Sequence, residues 1–369
     1  MNNKNFQTYF DCGFSKVRAG TFNTNSNEEA FYAESEFFTD RSNLELKIQK
    51  IIISLEKDTD EYINNVNLMI DSIEMLSVGI SLSKKLDGSK LKQANIQFLV
   101  QEAKQQILKH YTNHNIVHII INNYKIDDVD YSYLPNETKC DFISLDILFI
   151  CLPTDLVLYF KNIFSRSNIL VDQIICSSYA KSIYYKDNLN LSGYMSFIDV
   201  GFNRTSVISY YNDKILSLDV LPIGGNHITK DISKILEIDL EKSEQQKRNF
   251  DQNIILSNDE DSSIETLQKI IFARTEEILE LSSKFLQSNV CILSKFKIVL
   301  TGEGSKILDN QHKDKISFSN DIDFLEETTQ DICYSGLKLD MGLNKHEVII
   351  VPKKQIKHGF FEKLFHFFK

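Results

Sequence analysis

The sequence predicts a duplicated α/β fold whose two halves face each other across a cleft, and three stretches carry that expectation. In residues 197–229 an apolar run ends at Asp199-Val200-Gly201. A four-residue turn leads to a second run, Val207 to Tyr210, and Asn212-Asp213 turns the chain into a third, Ile215 to Val220. Residues 8–22 repeat the pattern, with a strand running into Asp11-Cys12-Gly13 and then a hairpin. Asp-x-Gly alone is common in turns; one copy in each half of a chain points to duplication. The third stretch is the apolar strand Phe296 to Leu300, which enters Thr301-Gly302-Glu303-Gly304-Ser305 and then a helix. A carboxylate leaving a strand just before a glycine-bearing turn can hold a metal-bound water, while the turn's N–H groups face a phosphate.

Length and composition bound the reading. A chain of 369 residues exceeds one hydrophobic core and should divide into domains. Its hydrophobic share of 42% and charged share of 25% are those of an ordinary globular protein. A net charge of −10 argues against general nucleic-acid binding. Cys12, Cys140, Cys151, Cys176, Cys291 and Cys333 show neither CxxC nor Cys/His spacing, so reduced thiols are expected rather than zinc or disulfides. The start lacks an apolar leader, and no run approaches the roughly 18 apolar residues of a membrane span, which places the protein on the cytosolic side.

Taken in order, Phe6 to about Val78 reads as strands, a helix from Leu44 to Leu55, and a strand from Asn64 to Ser72. From Val78 to Ser83 the texture changes. A helix over Phe98 to His110, a strand over His118 to Ile121, a strand over Asp141 to Leu152 and a helix over Thr154 to Arg166 then follow. That last helix should place Leu156, Tyr159, Phe160 and Ile163 on one face. His110, His114 and His118 would share a helix face, but Ile116-Val117 and Ile119 to Ile121 signal a strand, so ordinary surface histidines are expected there. A strand over Ile169 to Ile175 and a helix over Ser178 to Tyr185 complete the first half. Gly224-Gly225 precedes a helix from Thr229. It either brings backbone to an anion at the helix N-terminus or is a plain strand-to-helix turn. A polar helix from Glu241 to Arg248, a solvated connection over 249–261 and a long helix from Ser263 to Gln287 follow. Ile264, Leu267, Ile271, Ile278, Leu281 and Phe285 are its core positions.

The order Asp-x-Gly, Asp-x-Gly, Thr-Gly-x-Gly resembles the actin/Hsp70/sugar-kinase superfamily. Over nearly the whole chain the sequence is similar to the FtsA family of bacterial actin relatives. Pro222 to Ile232 resembles the segment after that family's second phosphate loop. Ser243-Glu244-Gln245-Gln246-Lys247 resembles its nucleoside-contacting helix, and Arg274 to Leu281 its long helix before the adenosine strand. The resemblance implies an actin-like, two-domain nucleotide-binding α/β fold of duplicated ribonuclease-H-like subdomains, with a 1C-type insertion and a C-terminal amphipathic helix. Subdomain 1A would span 6–78 and 159–192, 1C 79–158, 2A 193–235 and 295–350, and 2B 236–294, followed by a linker and targeting helix over 351–369.

By the same resemblance ATP would bind with Mg²⁺. Asp11 and Asp199 would orient the metal, while Gly13, Phe14, Ser15 and Lys16, and Gly201, Phe202, Asn203, Arg204 and Thr205, would lie against the phosphates. Gly302 and Glu303 would flank the adenine, and Gly225, Glu244 and Lys247 would serve the nucleoside. The expected partners are the FtsZ C-terminal peptide on 2B, further copies of the chain in a filament, other divisome proteins and the anionic inner-membrane surface. The second loop departs from the family pattern, with Phe202 and Asn203 for two glycines and Ser206 for the closing aspartate, so slow hydrolysis at most is expected. Arg204 could itself pair with a phosphate.

The last residues carry the membrane expectation. On a helix, Ile356, Phe360, Phe361, Leu364, Phe365, Phe367 and Phe368 fill one half, with His358, Glu362, Lys363, His366 and Lys369 on the other. Five lysines against Glu362 give residues 353–369 a charge of +4 in an acidic protein. A basic, phenylalanine-rich amphipathic helix suits an anionic interface; the alternative is a terminal helix packed on its own domain. Two further readings are a platform resembling the pilus protein PilM and an active ATPase or sugar kinase of the same fold.

Overall fold

The computed structural model describes residues 6–24, 29–37, 43–135, 138–250, 261–289, 297–305, 321–342 and 346–348. Everything expected of residues 351–369 lies outside them.

Two five-stranded sheets repeat one topology. In the first, β1 (Phe6–Cys12) pairs antiparallel with β2 (Lys16–Asn23), and β2 with β3 (Ala30–Glu36). On its other side β1 runs parallel to β4 (Asn65–Ile70), which runs parallel to β9 (Leu170–Cys176). In the second, β10 (Tyr194–Val200), β11 (Thr205–Tyr211) and β12 (Lys214–Leu221) form the same meander. β13 (Lys297–Thr301) and β14 (Asp321–Phe324) extend it in parallel from β10. The centre strands of both sheets are apolar on both faces because helices cover them. Equivalent registers follow: Asp11 pairs with Arg18 and Asp199 with Ser206, each one pair before the turn.

Between Ile70 and Leu170 a separate layer is inserted. β5 (Leu76–Lys90), β8 (Lys139–Pro153), β6 (His114–Ile126) and β7 (Val129–Tyr131) form an antiparallel sheet in that order. Helix α2 (Gln93–His110) covers it with Ile96, Leu99, Val100, Ala103 and Ile107 at helical spacing, closing a core of its own. The helix starts five residues before the expected Phe98, and Phe98 is exposed beneath the Lys84 ammonium. β6 is 13 residues rather than four, because alternation of polar and apolar residues continues past Ile121. The edge strand β12 meets this layer through Asn122, whose Nδ2 donates to the Ile215 carbonyl (2.8 Å) and whose Oδ1 accepts from Ile215 N–H.

Helices join the halves. α1 (Leu44–Thr59) and α3 (Thr154–Arg166) cover the first sheet. On α3 the buried residues are Val157, Phe160, Ile163 and Phe164, so the inward face is turned from the expected one and Tyr159 is half exposed. Phe164 is drawn in by an edge-on contact with Phe10 at 5.1 Å. α4 (Ser177–Asn188) is buried over Ser177 to Tyr185 and packs on α8 (Thr329–Asp340). Neither β14 nor α8 is among the expected elements. α5 (Gly225–Leu236), α6 (Leu240–Arg248) and α7 (Asp261–Asn289) cluster beside the second sheet around Ile228, Ile232, Ile270 and Ile271. Ile264 proves partly exposed, and Ile270 and Leu279 join the buried set.

Helix α8 docks through Gly336, where an added Cβ would lie 2.6 Å from Met69 Sδ and 2.9 Å from the Tyr9 ring. Gly336→Ala should therefore cost about 1–3 kcal/mol by overpacking, read as a lower urea midpoint. An unchanged midpoint would mean that α8 does not sit on β1 and β4 as described.

Candidate functional site

The site grows from the ends of equivalent strands. β1 and β10 deliver Asp11 and Asp199 to the same end of the two sheets, and β4 delivers a third carboxylate, Asp71, just beyond Ile70. Each aspartate is followed by a tight turn. Gly201 N–H donates to the Arg204 carbonyl (2.8 Å), closing the loop of Phe202 and Asn203. A Cβ on Gly13 would come within 2.9 Å of the Lys16 carbonyl. Gly302 has φ +95, and a Cβ there would strike the Val200 carbonyl at 2.4 Å, so only glycine lets β13 turn against the second loop.

These turns enclose a cleft of about 70 Å³ lined by Asp11, Gly13, Phe14, Ser15, Asp199, Gly201, Phe202, Asn203, Arg204, Gly302 and Glu303 among the expected residues. Four charged side chains that the sequence reading did not select also line it: Arg18, Asp71, Lys181 and Glu327. The volume holds a few water molecules. Five expected residues lie off this surface. Lys16 turns to the rim, toward Glu36 (2.8 Å) and Glu34 (3.2 Å). Thr205 donates to the Ile223 carbonyl (2.7 Å). Gly225, Glu244 and Lys247 sit behind the second loop: Lys247 Nζ donates to Glu244 (2.6 Å), to Thr229 Oγ1 (2.7 Å) and to the Gly225 carbonyl (3.0 Å).

Electrostatics dominate the cleft. Asp11 accepts from Ser177 Oγ (2.6 Å) through Oδ1 and from Arg18 (3.2 Å) through Oδ2. Asp199 Oδ1 accepts from Lys181 Nζ (2.8 Å), and its Oδ2 lies 3.7 Å from Arg204. Arg204 also pairs with Asp71, which accepts in addition from Ser178 N–H (3.0 Å) and Ser178 Oγ (3.1 Å). Arg18 reaches Glu303, and Lys181 reaches Glu327 (3.1 Å). Burial raises the Asp199 carboxyl, but Lys181 and Arg204 outweigh it and hold it below the usual aspartate range. Glu327 goes the other way: burial keeps its carboxyl above the usual range despite Lys181. Several pairs cross between the halves: Lys181 with Asp199, Arg204 with Asp71, Arg18 with Glu303, and Arg248 of α6 with Glu36 of β3 (2.7 Å).

The histidine trio is dispersed. His110 ends α2, His114 starts β6, and His118 is fully buried, its Nε2 accepting from Cys176 N–H (2.9 Å) and its Nδ1 2.6 Å from Glu347. No group of three or more metal-binding side chains with suitable spacing occurs among the described residues.

Removing one partner of a buried pair leaves the other uncompensated. Asp199→Asn should lower stability by about 3 kcal/mol, the low end for such losses because Lys181 keeps Glu327. Since the folded-state pKa of Asp199 is depressed, its contribution is present above about pH 4, the unfolded value, and is lost as pH falls through the folded one. Urea melts of parent and variant should differ at pH 7 and converge in acid. A constant difference down to the folded-state pKa would show that ion pairing is not the cause.

Comparison with known proteins agrees with this architecture. A family model described as Cell division protein FtsA matches residues 196–316. The chain is 24% identical over 348 residues to the cell division protein FtsA of Buchnera aphidicola subsp. Acyrthosiphon pisum (strain APS), covering 83% of this chain and 82% of that protein. It is 36% identical over 118 residues to FtsA of Bacillus subtilis (strain 168), covering 28% of this chain and 26% of that one. Among solved structures, the PilM-PilN type IV pilus biogenesis complex contains a chain that superposes with a TM-score of 0.61 at 14% identity, covering 88% of this chain and 89% of that one. In sequence the chain is similar to the cell division protein FtsA, and its α/β fold is that of the matched chain of the PilM-PilN complex.

Proposed function

We propose that this protein acts in cell division as an actin-like adaptor: it binds ATP in the cleft, assembles into filaments, and ties FtsZ to the cytoplasmic face of the inner membrane through residues 351–369. The similarity to FtsA over 348 residues carries this reading, and the basic, phenylalanine-rich terminus supports its membrane part. The two meander sheets would be subdomains 1A and 2A, the inserted layer 1C, and the α5–α7 cluster the 2B surface that receives the FtsZ C-terminal peptide. No helix among the described residues is long and apolar enough to cross a membrane.

The cleft suits a polyphosphate: two facing turns, Gly13 to Lys16 and Gly201 to Thr205, offer backbone N–H groups, and Arg18 and Arg204 supply positive charge. Gly302 and Glu303 would border the adenine, with Gly225, Glu244 and Lys247 supporting that side from behind. Mg²⁺ is a different matter. Asp11 and Asp199 are both occupied by side-chain donors of this chain, with three cations around them. The residues do not fit a water-bound divalent ion. Phe202, Asn203 and Ser206 leave the second loop without a carboxylate to orient an attacking water. ATP turnover should accordingly fall below the ~1 s⁻¹ low end of typical enzymes. A rate well above that in a phosphate-release assay would favour the ATPase or sugar-kinase reading.

The membrane part is tested directly. Buried phenylalanines contribute at most about 1.5–3 kcal/mol each and lysines near anionic lipid about 1 kcal/mol each. Partial burial and helix ordering offset much of this. A single copy should hold weakly and a filament firmly, by avidity. Phe361→Glu combined with Phe365→Glu should abolish co-sedimentation with anionic liposomes while FtsZ-peptide binding and the thermal melt stay unchanged. Loss of the cooperative melt would instead make the terminus a core helix. Retention of FtsZ-peptide binding separates this reading from a PilM-like platform.

A further inference from the structure

Lys181 is an unusual residue for its position. It projects from α4, whose residues Ser177 to Tyr185 are all buried, and its own side chain is 9% exposed. Burying an ammonium costs several kcal/mol unless it is paired and hydrogen-bonded. Here Nζ lies 2.8 Å from Asp199 Oδ1, 3.1 Å from Glu327 Oε1 and 3.2 Å from Glu327 Oε2. Those carboxylates come from β10 and from the segment before α8, and Asp11 of β1 adds its field. Carboxylates from both halves thus converge on a point that a lysine of this chain already occupies.

Most of the remaining acceptor positions are also taken, although Glu327 Oε1 makes no hydrogen bond and Asp199 Oδ2 has Arg204 only at 3.7 Å. Arg18 and Ser177 Oγ hold the two Asp11 oxygens, and Arg204 lies against Asp199 and Asp71. A divalent ion entering here would meet three fixed positive charges and would have to displace one of them. Clefts that handle phosphoryl groups ordinarily recruit such an ion from solution to balance charge.

We propose that Lys181 is the resident counter-ion of the cleft, taking the place of a recruited divalent cation, so that the halves close and a polyphosphate binds without metal. The polyphosphate clause rests on the nucleotide reading above; the counter-ion clause does not. Burial lowers the lysine's affinity for its proton, but Asp199, Glu327 and Asp11 raise it well beyond the ordinary value, so the ammonium stays charged.

The test uses the full chain. Mn²⁺ is titrated and followed by the electron paramagnetic resonance signal of the free ion, without nucleotide, for the parent and for Lys181→Ser. Separately, ATP affinity is measured by calorimetry in excess Mg²⁺ and in excess EDTA. The parent should take up no stoichiometric Mn²⁺, and its ATP affinity should change less than about threefold between the two conditions, under 1 kcal/mol. Lys181→Ser, which leaves Glu327 without its ion-pair partner and Asp199 with Arg204 alone, should gain one Mn²⁺ site and an ATP affinity at least about tenfold higher with metal. One Mn²⁺ per parent chain, or a tenfold loss of parent ATP affinity in EDTA, overturns the proposal. If Lys181→Ser fails to fold, the parent titration still decides. A parent that takes neither Mn²⁺ nor ATP keeps the resident cation and removes the nucleotide reading.

Discussion

The neutralisation of buried carboxylates is the constraint on which the architecture of the cleft depends. Two copies of one topology bring Asp11, Asp71 and Asp199 to the carboxyl ends of adjacent central strands, and Glu327 joins them from the start of α8. In low dielectric such a cluster is untenable without cations. The chain supplies Arg18 from β2, Lys181 from α4 and Arg204 from the second turn. Most of these contacts run between the halves rather than within one. Charge balance and domain closure are therefore the same interaction seen from two sides.

Register explains why this works with a degenerate second loop. Asp11 stands opposite Arg18 across β1–β2, so the first half carries its own counter-charge. Asp199 stands opposite Ser206, which offers no charge, so its cation must come from elsewhere. Lys181 and Arg204 fill that role. The departure at Ser206 fits this arrangement, since a carboxylate there would add another negative charge to an already acidic site.

Much of the fold was legible because periodicity survives burial. The twin Asp-x-Gly hairpins, the β13 strand entering Gly302, and helices α1, α3, α6 and α7 all stand in the sequence close to where they lie in the structure. Where the reading slipped, packing decided. The α3 face turned toward Phe164 because Phe10 offers it an aromatic partner, and α2 began early because Ile96 completes the insertion core. β14 is only four residues long, whereas α8 does carry a local signal, a Thr328–Asp331 capping box ahead of Ile332 and Cys333, which the reading missed. The cleft was legible in its backbone and not in its charges. Glycine and aspartate at turns leave a local signature. Lys181 lies in a helical run of Ser, Tyr and Ala, and Glu327 in a connecting segment, so both become functional candidates only when distant strands bring Asp199 to them.

Helix α4 carries the argument from the cleft to the far end of the chain. Ser177 and Lys181 hold the two cleft aspartates. Between them Tyr179 donates through its hydroxyl to Glu347 (3.2 Å), whose other oxygen lies 2.6 Å from buried His118 Nδ1. His346 and Val348, on either side of Glu347, bond to β6 through Ile121 N–H and the Ile119 carbonyl. The last described residues are thus pinned to the insertion sheet by the same helical turn that neutralises Asp199. One turn of α4 therefore carries both the lysine that pairs with Asp199 and the tyrosine that bonds to Glu347.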